Sequence, residues 1–131
     1  GEQDAGARLG EGWNQMLMDL VHTPAELMAR AVRDHLADCL VNLPALAEEG
    51  SPESLHFYLG NLTNMRKEIF PALQDAYDEW RRTGDTEPLA AVADRGRLHW
   101  DHVGRDMMQL HTAHGSETAH PIERLMAERR L

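Results

Sequence analysis

The sequence predicts an all-α fold, an antiparallel bundle of four to five main helices plus a short C-terminal helix. Apolar residues recur at spacings of three and four along most of the 131 residues, as on one face of a helix. Capping residues followed by proline, or single glycines, separate these stretches. No segment alternates polar and apolar residues as a strand would. Helices of this kind bury their apolar faces by packing on one another.

The first two predicted helices are separated by a start signal. Thr23 is a predicted N-cap, Pro24 takes the first helical position and Glu26 completes a capping box. Pro44 predicts that the second helix ends near Asn42, because the residues before a proline disfavour helical geometry. The first apolar stripe contains Leu9, Trp13, Met16, Leu17, Leu20 and Val21. The second contains Leu27, Met28, Ala31, Val32, Leu36, Cys39, Leu40 and Leu43.

A third helical stretch begins at Ser51 and Pro52, again a cap followed by proline. Pro71 lies inside it and predicts a kink or break near Phe70, because proline lacks the amide donor and clashes with the preceding turn. Gly84 is a predicted terminator. The stripe contains Leu55, Tyr58, Leu59, Leu62, Met65, Ile69, Leu73, Ala76, Tyr77 and Trp80.

A fourth helix is predicted to begin at Asp85 or Thr86, with Pro88 in its first turn, and to end at Gly115. Pro121 then opens a short last helix. The inner face of the fourth helix contains Leu89, Val92, Gly96, His99, Trp100, Val103, Met107, Leu110 and His114. We therefore divide the chain into a flexible lead-in over 1–8, a helical bundle over 9–114, and a C-terminal tail with a short helix over 115–131.

Charge and composition exclude several classes of protein. The net charge of -9 repels phosphate backbones, so we expect no direct nucleic-acid contact by this chain. No apolar run approaches the roughly 20 residues that span a bilayer, so we expect no membrane contact. Cys39 is the single cysteine, which excludes an internal disulfide and favours a reducing compartment such as the cytoplasm.

The sequence carries no catalytic signature, so we predict that the domain is not an enzyme. Cys39 lies on an apolar helix face, where a structural role is more common than a nucleophilic one. The serines at 51, 54 and 116 fall at predicted caps or turns, outside any nucleophile elbow. No glycine-rich loop precedes a helix in the manner of a phosphate site.

Histidines give the richest chemical pattern. His99, His102 and Asp106 are offset by three and four residues on the fourth helix, so they share one edge. Imidazole and carboxylate groups can bind a divalent metal such as zinc, and a metal-binding bundle is one alternative. A closed site needs ligands from a second helix, and the other histidines have no diagnostic spacing. Our main prediction is therefore that the domain holds no metal or other cofactor.

Two segments resemble a known family. The stretch 13–27, WNQMLMDLVHTPAEL, and the stretch 76–85, AYDEWRRTGD, are similar to parts of the C-terminal effector-binding domains of GntR-family transcription regulators of the fatty-acid-regulator type. Many members bind a metal through four side chains. Here the matching positions are Gly10, Asn14, Gln74 and His99, so only His99 is retained as a ligand. The resemblance therefore implies the metal-free branch, which binds an organic effector directly.

The resemblance implies a non-catalytic, ligand-sensing domain of a transcription regulator that lacks its own DNA-binding module in this chain. The expected partners are a small organic ligand, acidic or apolar, and a second copy of the chain or a larger protein. Polar handles, an apolar wall and carboxylate-binding arginines are expected among His22, His99, Trp100, Asp106, Arg95 and Arg105. A second alternative is a helical accessory subunit or adaptor, which would present an exposed apolar stripe.

Overall fold

The computed structural model describes residues 10–131 and confirms the all-α prediction, since that range contains helices and turns but no strand. None of its helices has both the length and the apolarity needed to cross a membrane. The helices are α1 (Gly12–Asp19), α2 (Pro24–Ala37), α3 (Leu43–Glu49), α4 (Pro52–Gly60), α5 (Asn64–Ile69), α6 (Pro71–Thr83), α7 (Glu87–His114) and α8 (Ala119–Glu128). A π-helical turn (Asp38–Asn42) joins α2 to α3, and a 3-10 turn (Gly115–Glu117) follows α7.

Helix α7 is the centre of the bundle. Helices α2, α3, α6 and α8 all pack against it, and Trp100, Val103 and Met107 on its inner face are fully buried. A Cβ atom added at Gly96 would lie 2.5 Å from Cys39 Sγ and 3.0 Å from Phe70 Cζ. The absence of a side chain at this position therefore lets the π turn and Phe70 approach the central helix closely.

Most of the predicted helix boundaries are confirmed. The Ser51 hydroxyl accepts a hydrogen bond from the Ser54 amide at 3.3 Å, which caps α4. Phe70 separates α5 from α6, as Pro71 predicts. Gly84 and Gly115 end α6 and α7 with positive φ angles of 75° and 58°, a conformation that glycine adopts without strain.

The prediction that the second helix ends near Asn42 is wrong. The chain passes from α2 through the π turn into α3 without leaving the helical region. The Leu43 amide donates to the carbonyl of Asp38, five residues earlier. Pro44 follows as one of the first two residues of α3, where a missing amide donor is tolerated. The wider π turn thus carries the helix past the proline.

The predicted stripe of α2 also needs correction. Leu27 is 56% exposed, whereas Ala25 and Ala29 are fully buried. A face that contains alanines lets α2 lie close to its neighbours, and the larger leucine projects outwards. The long third stretch has a further break at 61–63, between α4 and α5, that the apolar stripe did not predict.

The C-terminal segment belongs to the bundle core. Ile122 and Met126 of α8 are buried. The Leu131 amide donates to the Ile69 carbonyl at 3.0 Å, and the Leu131 carbonyl accepts from the Ala72 amide at 3.1 Å. The core therefore continues beyond residue 114, through the segment that the sequence divided off as a tail. The lead-in over 1–8 lies outside the described residues.

Candidate functional site

A cavity of about 640 Å³ lies between the π turn with α3 and helix α4, and α5 contributes one residue to it. This volume is within the range that small-molecule sites occupy. Its lining combines apolar and aromatic side chains with amides and charged groups, a mixture typical of ligand pockets. We call it the Tyr58 pocket; it is lined by Asn42, Ala45, Leu46, Glu53, Ser54, Phe57, Tyr58, Asn61 and Arg66.

Asp38 lies behind the lining of this pocket and bonds three lining residues, which form the pocket floor. Its carboxylate accepts hydrogen bonds from the Tyr58 hydroxyl at 2.8 Å, from the Asn42 amide nitrogen at 2.8 Å and from the Arg66 guanidinium. Asp38 is buried, so its charge must be compensated by these donors. The π turn positions both Asp38 and Asn42, and the partners come from α4 and α5. We call these four residues the Asp38 network.

Burial, together with the Asp38 charge, keeps the Tyr58 phenol and the Cys39 thiol protonated. Burial raises the pKa of the Tyr58 phenol, and the adjacent Asp38 charge raises it further. Tyr58 therefore remains a neutral hydrogen-bond donor. Burial and Asp38 also raise the pKa of the Cys39 thiol to about 12. A thiol in this state is a poor nucleophile, which agrees with the structural role that the sequence favoured.

His35 connects the network to the bundle core. Its Nε2 donates to the Arg66 carbonyl at 2.7 Å, while its ring lies 4.8 Å from the Phe70 ring and 5.5 Å from the Trp100 ring, centroid to centroid. Burial, followed by the nearby Arg66 charge, lowers the pKa of His35 to about 4. A neutral imidazole therefore ties α2 to the backbone of α5, directly behind the pocket.

His99 and Asp106, two of the predicted ligand-binding residues, are engaged by the end of the chain. His99 Nε2 donates to the Arg129 carbonyl at 2.5 Å, and Arg129 Nη1 donates to Asp106 at 2.7 Å. Burial lowers the pKa of His99. Trp100, the predicted wall, is fully buried in the core. The structure thus places these residues in an internal contact of α7 with the C-terminal segment.

The other three predicted residues lie in separate surroundings. His22 is exposed at the turn between α1 and α2, with a φ angle of 66°. Arg95 lines a second cavity of about 440 Å³, between α6 and α7. Arg105 pairs with Asp101, one turn away on the surface of α7. None of these three lines the Tyr58 pocket.

The alternative metal site does not assemble. Across residues 10–131, no group of three or more histidine, cysteine or acidic side chains is placed to hold a metal ion. His99 and Asp106 both bond Arg129, while His102 is exposed. The spacing on one helix was compatible with a site, but among the described helices no second one supplies the remaining ligands.

The described surface also carries the kind of apolar residues that the adaptor alternative expects. Met18 is 69% exposed and Val21 is 50% exposed; both line a shallow cavity of about 360 Å³ beside α1 and α2. Phe57 is 73% exposed and lines the Tyr58 pocket. Exposed apolar side chains of this size are thus present both at the first helix and at the pocket.

The residues of the Asp38 network were missed in the sequence, because Tyr58 and Arg66 lie 20 and 28 residues after Asp38. One signal was available. Asp38 stands between Ala37 and Cys39 in an apolar stripe, six residues before Pro44. A carboxylate on a buried helix face requires a partner, and a proline that fails to end a helix requires a local distortion. Both features mark the π turn.

Residues 1–129 match the family described as "Family of unknown function (DUF6866) C-terminal domain". The chain therefore belongs to this family. No curated protein matches the chain, and no solved structure matches it.

Proposed function

We propose that this domain is a ligand-sensing module that binds a small organic molecule in the Tyr58 pocket and signals to the rest of a larger protein. The observation that carries the proposal is the pocket itself, about 640 Å³ in volume and lined by both apolar and polar side chains. Three of its lining residues bond the buried Asp38 carboxylate, and the Arg66 charge compensates that of Asp38. Such networks hold polar groups in fixed positions, as recognition of a specific ligand requires.

The π turn supports a functional role for this region. Single π turns within α-helices are rare and occur frequently at functional sites. Here the turn places Asn42 in the pocket lining and Asp38 behind that lining, where it accepts from Asn42. The sequence therefore maintains an irregular helix at the place where the cavity opens.

The contacts of Arg66 offer a route by which ligand binding in the pocket would affect the bundle core. Arg66 lines the pocket, and its carbonyl accepts from His35, which stacks on Trp100 of the central helix. A ligand that moves α4 or α5 would change this contact and favour one packing of the bundle over another. That the output is transcription regulation, through a DNA-binding partner, is the extension that the GntR resemblance suggests.

A fragment screen with a blocked pocket tests the proposal. Small aromatic and alkyl fragments are screened by saturation-transfer NMR against the wild-type chain, Ala45→Trp and Ala127→Trp. Ala45 lines the pocket and is exposed, so tryptophan there should fill the cavity while the fold persists. Ala127 is an exposed position on α8 and serves as the matched control. Thermal unfolding of all three proteins verifies the fold.

We expect fragments that bind the wild-type chain and Ala127→Trp but not Ala45→Trp. Fragments that bind Ala45→Trp equally well would place the site elsewhere. A library that yields no binder to the wild-type chain would contradict the proposal altogether.

A further inference from the structure

We infer that the Tyr58 pocket takes an organic cation with an apolar body, such as an aralkyl ammonium ion. This inference rests on the proposed function and names its ligand class. It follows from an account of which hydrogen-bonding groups of the lining are already engaged and which are left for a ligand.

The two asparagines of the lining present acceptors. Asn42 uses its amide nitrogen to donate to Asp38 at 2.8 Å, and Asn61 uses its amide nitrogen to donate to the Phe57 carbonyl at 2.7 Å. Because only the NH₂ group can donate to a carboxylate or a carbonyl, both orientations are fixed. Each side chain then has its carbonyl oxygen, an acceptor, and the second N–H of its amide left for other partners.

The Tyr58 hydroxyl and the one cationic group of the lining, the Arg66 guanidinium, are engaged inside the protein. The Tyr58 hydroxyl donates to Asp38 and lies 3.4 Å from Arg66 Nη2. The Arg66 guanidinium pairs with Asp38, which cancels its charge. Arg66 Nε has no hydrogen-bond partner within residues 10–131, but this atom is buried and a ligand in the pocket cannot reach it. The arginine is therefore a poor anchor for an anion.

Glu53 supplies an uncompensated negative charge. It is exposed, lines the pocket and has no basic partner in the described part of the chain. Together with Asp38 and Arg66 it gives the site one net negative charge. The rings of Phe57 and Tyr58 stand in the same lining, and aromatic faces attract cations.

The whole chain favours the same ligand charge. Its net charge of -9 raises the local concentration of cations and lowers that of anions. An apolar body would lie on Ala45, Leu46 and Phe57, with the ammonium group toward Glu53 and the asparagine oxygens. This ligand differs from the acidic or apolar effector that the family resemblance implied.

Three probes with one phenylpropyl body separate the charge requirement from simple apolar binding. Dissociation constants of 3-phenylpropylammonium, 3-phenylpropanol and 3-phenylpropanoate are measured by amide chemical-shift titration of the full chain at pH 7 and low salt. The variants are Glu53→Gln and, as matched control with the same charge change at an exposed site on α8, Glu128→Gln.

We expect the ammonium ion to bind about tenfold more tightly than the carboxylate, with the alcohol between them. Glu53→Gln should weaken the ammonium ion about threefold and leave the alcohol unchanged. Glu128→Gln should alter neither. An alcohol or carboxylate that binds the pocket as tightly as the ammonium ion would overturn the cation inference while the pocket remains a ligand site.

Two further outcomes are distinguishable. If none of the three probes binds but other fragments compete for the pocket, the ligand class is wrong and the proposed function stands. If neither the probes nor any fragment binds, both proposals fail together.

Discussion

Two arrangements, each of one histidine, one arginine and one aspartate, meet at the ring of Trp100. In one, His35 bonds the Arg66 carbonyl while the Arg66 guanidinium pairs with Asp38. In the other, His99 bonds the Arg129 carbonyl while the Arg129 guanidinium pairs with Asp106. The rings of His35 and His99 lie 5.5 and 4.6 Å from that of Trp100.

The two arrangements differ in burial and in what lies beside them. The side chains of Asp38 and Arg66 are 12% and 17% exposed, whereas those of Asp106 and Arg129 are 36% and 32% exposed. The first lies directly behind the Tyr58 pocket, with Arg66 in the pocket lining, and the second ties the C-terminal segment to α7. Identical chemistry therefore serves a candidate binding site in one place and an internal anchor in the other.

The largest expected loss of stability follows from a substitution of Asp38, behind the Tyr58 pocket. Asp38→Ala removes the acceptor for Tyr58, Asn42 and Arg66 and leaves the arginine charge buried and uncompensated. We expect the free energy of unfolding in urea to fall by about 3 kcal/mol or more. A loss of only a few tenths of a kcal/mol would mean that water, rather than Asp38, solvates Arg66.

The second effect is a dependence of the free energy of unfolding on pH, caused by the titration of His35. Its pKa is about 6.5 when unfolded and about 4 when folded, so the unfolded state takes up the proton first as the pH falls. The stabilisation is complete above pH 6.5 and is lost as the pH falls from there to about 4. We expect the wild-type chain to lose roughly 3 kcal/mol more than His35→Gln between pH 7 and pH 4.

His99→Gln is the matched comparison for this titration. Burial lowers the pKa of His99 as well, but the ring is only partly buried, so its contribution should have the same sign and be smaller than that of His35. If the free energy of unfolding changed with pH in the same way for the wild-type chain and His35→Gln, folding would not lower the pKa of His35.

The third effect concerns Gly96, where α7 closely approaches Cys39 and Phe70 behind the Asp38 network. Gly96→Ala places a methyl group 2.5 Å from Cys39 Sγ, and we expect a loss of about 1–3 kcal/mol from overpacking. Gly60→Ala meets nothing within 4 Å and should stabilise the chain by up to about 1 kcal/mol, because alanine favours the helix. Thermal unfolding of the two variants should therefore give shifts of opposite sign; a Gly96→Ala variant as stable as the wild-type chain would contradict the close packing at Gly96.

The smallest effect on the free energy of unfolding is expected at the arrangement of His99, Arg129 and Asp106. Asp106→Ala breaks a pair that is about one third exposed, and such pairs contribute about 1 kcal/mol or less. The loss should shrink further in 1 M salt, because screening weakens exposed pairs. A loss as large as that of Asp38→Ala, measured in the same urea titration, would remove the distinction between the two regions.

Much of the fold could be predicted from local signals. Ser51, Gly84, Gly115 and Pro71 act through their own backbone or that of their nearest neighbours, so their consequences can be read in the sequence. Pro44 misled the prediction, because the π turn that accommodates it depends on a change of hydrogen-bond register rather than on a break. Whether a proline ends a helix is thus decided partly by the packing around it.

The candidate site could not be predicted in the same way. The spacing of His99, His102 and Asp106 is local and visible, but Arg129, which engages two of them, comes from the far end of the chain. The partners of Asp38 are similarly distant in sequence. Local spacing identified groups capable of chemistry, whereas their availability depended on contacts that only the folded chain reveals.

The most direct test of the account is an amide chemical-shift map of the wild-type chain as a mixture of aromatic and alkyl fragments is added. We expect the perturbed amides to concentrate between residues 42 and 66, around the Tyr58 pocket. Perturbations centred on residues 99–106, or a map without specific changes, would contradict it.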